Sequence, residues 1–159
     1  MGLDMYLSAR KYISGVDFSE DYASRTMPIT FKNLLDVAGL DETDVREDLP
    51  SGRIELTVAY WRKVNSVHQW FVDNCANGED DCRPVYVSRE SLLELLSTVK
   101  KAIKELDSDY LPPQGGFFFG TTDVDDYYWD SLKETQKKLE NILDNPKFAD
   151  WDFEYQASW

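Results

Sequence analysis

The chain holds one histidine, His68, within YWRKVNSVHQWFVDNC, a stretch that also carries Trp61, Arg62, Asn65 and Trp70. A histidine can serve as a general base or as a hydrogen-bond donor at a pocket edge. Asn65, three residues earlier, shares its helical face. The same histidine, on an apolar face, also suits a core position with a backbone partner. His68, Cys75 and Cys82, with Asp80 or Asp81 as a fourth ligand, would make a zinc set. Their separations of seven and seven lack the close ligand pair that structural zinc sites use. A Cys75–Cys82 disulfide would close a short loop, but two cysteines in a chain of this length fit a reducing compartment better. Residues 123–134 faintly echo a calcium loop, yet Tyr128 stands where glycine is required. Gly115–Thr122 opens onto a helix start as a phosphate cradle would, but Asp123, Asp125 and Asp126 occupy the place of the anion. There is no GxSxG elbow. Residue chemistry therefore favours a protein that binds rather than one that catalyses, with no metal and no cofactor expected.

Two binding arrangements follow. In one, Trp61, Asn65, His68 and Phe117 to Phe119, Phe118 among them, line an aromatic cleft with Arg62 or Lys63 at its mouth. Aromatic walls and a few polar groups are what small-ligand pockets use. In the other, Trp70 lies outside the apolar arc of its helix and offers a contact patch. Acid is spread along the chain: Asp17, Glu20 and Asp21; Asp41, Glu42, Asp44, Glu47 and Asp48; Glu79, Asp80 and Asp81; Asp123 to Asp130; Asp150 to Glu154.

That acid sets the bulk charge. Among 159 residues, 30 Asp+Glu oppose 17 Lys+Arg, a formal charge of −13. A surface so acidic repels phosphate backbones and anionic membranes, which excludes a general nucleic-acid binder and a membrane-surface protein. Aromatic residues reach 14%, too many for a disordered chain, and the length suits a single globular domain over residues 1–159. The N-terminus has no secretory pattern, and Tyr6 replaces the hydroxyl residue of a myristoylation motif. The expected location is the cytoplasm.

Hydrophobic periodicity gives the elements. Leu3, Met5, Leu7, Ala9 and Ile13 alternate with polar residues, which predicts a strand with one buried face. Phe31 to Ala38 predict a helix stopped by Gly39, and 53–58 a short strand. From about Tyr60 to Cys75, the pattern at about 100° per residue predicts an amphipathic helix. Val85 to Val87 form a short apolar run. Ser88 starts a helix with a stripe of Leu92, Leu95, Leu96, Val99, Ile103 and Leu106. Gly115–Gly120 reads as a buried strand or tight aromatic loop. Thr122 or Asp123 starts a helix through Tyr128, Leu132, Thr135, Leu139 and Ile142, and Trp151 to Trp159 alternate as a last strand. This order predicts an α+β fold: a small, mainly antiparallel sheet under three or four helices, with the first and last strands paired.

The segments GLDMYL, YWRKVNSVHQWFVDN with its nearby DDC, and GFFFGTTDVDDYY together resemble a group of small, acidic, uncharacterised proteins of bacteriophages and prophage-bearing bacteria. The resemblance covers Gly2 to about Leu143. It implies a phage-borne accessory protein acting in the cytoplasm of a bacterial host, and it implies no chemistry. The leading expectation is a non-enzymatic inhibitor of a host nucleic-acid-handling or defence complex (CRISPR-like), its carboxylates imitating DNA phosphates before a basic partner. The alternative is a nucleotide-like ligand bound, sequestered or transformed in the aromatic cleft around His68. The partner's identity and the oligomeric state are left open.

Overall fold

The computed structural model describes residues 2–18, 26–46 and 48–159. The chain forms an α+β fold with one four-stranded antiparallel sheet, whose strands are β1 (Asp4–Ser14), β2 (Ser51–Arg62), β3 (Val85–Val87) and β4 (Asp152–Ser158). Their order across the sheet is β2-β1-β4-β3, so the first and last strands are neighbours at its centre. The helices are α1 (Ile29–Ala38), α2 (Asn65–Cys75), α3 (Arg89–Glu105) and α4 (Asp126–Leu143). The chain divides into two compact units, one of Met1–Ala9 with Leu56–Trp159 and one of Arg10–Glu55.

In the larger unit the period-two pattern sets the buried face. Leu3, Met5, Leu7 and Ala9 of the first strand region are fully enclosed, and Phe153, Tyr155 and Ala157 of β4 are buried as well. Strand alternation sends Asp4 and Tyr6 to the opposite side, where Tyr6 packs on Tyr60 of β2 with ring centroids 5.3 Å apart. Leu92, Leu95 and Val99 of α3 and Leu132, Leu139 and Ile142 of α4 close the core over the inner face. Ser88 caps α3 by accepting from the Ser91 amide at 3.0 Å, and Asp125, rather than the expected Thr122 or Asp123, caps α4 through the Tyr128 amide at 3.1 Å. Tyr86 of β3 lies opposite Glu154 of β4 and faces solvent.

In the smaller unit, α1 buries Phe31 and Leu35, and Gly39 ends the helix in the left-handed region at φ 71°. Leu34 occupies the space where a side chain on Gly52 would go.

Three expectations are corrected and one pair of alternatives is decided. β2 does not stop at residue 58 but runs to Arg62, so Tyr60, Trp61 and Arg62 belong to a strand and α2 begins only at Asn65. Lys63 makes the break with φ 56°, a conformation that no lysine advertises in sequence. Trp70 is not displayed for a partner: it is 8% exposed, edge-on to Phe71, because α2 is buried on several sides. Of the two forms expected for Gly115–Gly120, the structure has the tight aromatic loop and not the buried strand, with Phe117 95% exposed. Leu106, expected in the stripe of α3, instead forms the left-handed end of that helix and is exposed.

Candidate binding surface

His68 is enclosed, 1% exposed, and both its ring nitrogens are engaged. Nε2 lies 3.0 Å from Asp80 Oδ2, and Nδ1 lies 2.7 Å from the Tyr155 hydroxyl. In the neutral ring the carboxylate partner assigns the hydrogen to Nε2, since a carboxylate only accepts, and Nδ1 then accepts from the Tyr155 O–H. The other Asp80 oxygen accepts from the Trp159 indole at 3.1 Å. Burial and the Asp80 charge hold the Tyr155 phenol far above its ordinary range, so it remains protonated. The ring of Tyr155 stacks on Phe71 at 4.0 Å. The cavity beside His68, bounded by Val72, Cys82 and Val85, has a volume of about 10 Å³, the space of roughly one water. His68 is therefore a core histidine, with side-chain partners in place of the expected backbone partner. Cys75 and Cys82 are free thiols, and burial pushes Cys75 up.

Asn65 has a different task. Its Nδ2 donates to the Phe119 carbonyl at 3.2 Å and the Thr121 carbonyl at 2.9 Å, while its Oδ1 accepts from the Gln114 amide at 3.1 Å. The Leu3 amide donates to the Phe118 carbonyl at 3.0 Å. The edge of Phe119 meets His68 at 5.0 Å and Trp159 at 6.0 Å. A buried asparagine, one strand and two rings thus brace the aromatic loop from below. Phe118 is half-buried, and Phe117 points away from the fold.

The structure does not gather the expected cleft into one place. Asn65, His68 and Phe119 meet, but Trp61 is buried elsewhere. It packs on Phe71 at 6.3 Å and donates from Nε1 to Thr135 Oγ1 at 2.9 Å. Trp61 and Arg62 border a groove of about 280 Å³ between the end of β2 and α4, with Tyr60, Tyr127, Asp130, Glu134 and Lys138 as its other charged or aromatic walls. Tyr127 donates to the Arg62 carbonyl at 2.9 Å, and Lys138 pairs with Glu134 at 2.7 Å while lying over the Trp61 ring.

The acidic candidates are mostly committed locally. Asp41 and Asp44 form a capping box around a short 3-10 turn, Glu42 pairs with Lys32, and Asp48 pairs with Arg46. Hydrogen bonds from Thr43 hold Asp41 below the usual carboxylate range, and the Arg46 guanidinium does the same for Asp48. Glu79 and Asp81 both bind Arg83, and Asp80 is held by His68 and Trp159. Glu47, Glu20 and Asp21 lie outside the described residues.

A further segment carries exposed acid, in part held the same way: Asp123 accepts from the Thr121 hydroxyl at 2.6 Å and Asp125 from the Tyr128 amide. Residues 105–132 contain seven carboxylates, with no lysine or arginine. Within 114–127 every residue is exposed except the half-buried Phe118 and Phe119, so Asp123, Asp125 and Asp126 are exposed in the same segment as Phe117, Val124 and Tyr127. Lys63, packed against Gly120 and bordering one small pocket with Asp123 and Tyr127, is a neighbouring cation. In the sequence, Asp123 to Asp130 stand among the acid runs and Phe117 to Phe119 in the expected cleft; the stretch without lysine or arginine is what links them. No protein-family model, curated protein or solved structure matches the chain.

Proposed function

We propose that this chain is a non-enzymatic acidic binding protein that docks on a basic partner, and that the partner is a host protein or complex that handles nucleic acid or serves defence. The observation that carries this reading is the segment after the aromatic loop, in a chain of charge −13: three exposed carboxylates with no lysine or arginine between them in sequence, and Lys63 as a neighbouring cation. Carboxylates grouped without interleaved cations produce a field that steers cationic surfaces toward them. The histidine supports binding over catalysis, since its two nitrogens are occupied inside the core. The resemblance to phage and prophage proteins supports a host target. Capture of host proteins at about 50 mM salt and again at about 200 mM tests the reading: the retained partner must be basic and must be lost at the higher salt. A partner that is acidic, or retained equally at both concentrations, would exclude it.

A second reading rests on the groove between β2 and α4. Its walls offer the Tyr60 and Tyr127 rings and the Arg62 cation, with Asp130 alongside and Lys138 paired to Glu134, a mixed lining that suits a small aromatic ligand such as a nucleotide base. Thermal-shift screening separates the two readings, because a ligand that binds only the native state must raise the melting temperature.

A further inference from the structure

We infer that Phe117 anchors an interaction surface formed by residues 115–127, and that the partner protein offers an apolar pocket ringed by lysine or arginine side chains. The inference rests on the reading of the chain as an acidic docking protein and goes beyond it by naming the contact.

A single exposed hydrophobic residue is ordinary. Phe117 differs in how it is held. Three consecutive phenylalanines enter one turn: Phe118 and Phe119 are half-buried, while Phe117, the first, is 95% exposed. The turn is closed by the Phe119 amide donating to the Gly116 carbonyl at 3.1 Å. Gly116 allows it, since a side chain there would strike the Phe119 ring. Asn65 holds the loop on both sides of the turn, at Gln114 and at Phe119 and Thr121. An aromatic ring carried on backbone fixed in this way meets a partner with little ordering cost, the condition under which one residue dominates an interface.

The surroundings select the partner's chemistry. Val124 and Tyr127 follow in the same segment at 45% and 54% exposure, with Asp123, Asp125 and Asp126 as their sequence neighbours, and Lys63 is a cation packed alongside at Gly120. Three carboxylates against one lysine favour a pocket bordered by cations. A lipid surface is disfavoured because anionic headgroups repel these carboxylates. A second copy of the chain brings −13 against −13.

Two probes test the proposal: a short peptide alternating lysine and leucine, and an oligolysine of equal charge, each titrated against the whole chain at about 50 mM salt. The alternating peptide is expected to bind about tenfold or more tightly than the oligolysine, and Phe117→Ala to erase that difference. Asp123→Asn with Asp126→Asn should weaken both peptides. Amide shifts in the NMR spectrum should centre on 115–127. An unchanged melting temperature certifies that Phe117→Ala is folded. Equal binding of the two peptides, insensitive to Phe117, overturns the anchor and leaves the acidic docking reading standing. No binding of either peptide overturns both. A dimer of the chain that depends on Phe117 overturns the assigned partner.

Discussion

At the scale of single residues, the Tyr155 hydroxyl is the donor on which His68 depends. Tyr155→Phe keeps the stacking on Phe71 but leaves His68 Nδ1 buried with no donor. Loss of about 1–3 kcal/mol in urea unfolding is expected; an unchanged midpoint would mean the hydroxyl is idle. The phenols also set an alkaline limit. Burial raises Tyr155 far above its ordinary value, and burial with the Asp107 charge raises Tyr128 to about 12. The native state then keeps protons that the unfolded chain releases near pH 10. The stabilisation is complete below about pH 10 and is lost as pH climbs through the native values. Melting temperature should hold up to about pH 10 and then fall. Tyr128→Phe should flatten the part of that fall between about pH 10 and 12, and an equally steep fall in the variant would contradict the assignment.

At the scale of elements, Lys63 and Asn65 define the junction on which the surface depends. Lys63 holds φ 56°, so Lys63→Gly should leave unfolding free energy unchanged or raise it by up to about 1 kcal/mol, where glycine normally lowers it. Asn65→Ala removes three hydrogen bonds to the aromatic loop and should cost about 2 kcal/mol. Hydrogen exchange at Gln114 should accelerate at the same time; protection there equal to the parent would show that the loop does not need the clamp. These two residues also explain what could be read in advance. Strict alternation in β1 and β4 and the stripes of α3 and α4 reflect one buried side facing one core, so period alone located them. The Tyr60–Arg62 segment failed because Tyr60 and Val64 fit a helical spacing while the break at Lys63 is a backbone state without a side-chain signature. Trp70 failed because a wheel assumes one wet face, and α2 is buried around most of its girth. The site was less legible still. Asp80, Tyr155 and Trp159 reach His68 only through the β4 pairing, and the outward turn of Phe117 depends on an asparagine about fifty residues away.

For the whole molecule, the decisive quantity is the charge of −13 and its opposite consequences for folding and for docking. Of the two units, residues 1–9 with 56–159 carry 20 carboxylates against 11 lysines and arginines. Many of the local ion pairs are exposed pairs, each contributing about 0–1 kcal/mol, so they offset little of the mutual repulsion. Added salt shortens the screening length from about 30 Å at 0.01 M to about 10 Å at 0.1 M, which relieves repulsion across the acidic surface. The melting temperature should therefore rise by a few degrees over that range in scanning calorimetry. The same screening removes the attraction for a cationic partner, so affinity for oligolysine must fall over the salt range in which stability rises. A protein whose carboxylates were balanced by neighbouring cations would show neither slope, and one held together by surface ion pairs would lose stability with salt. Stability and affinity moving in opposite directions is the signature that the acid is held for a partner and not for the fold.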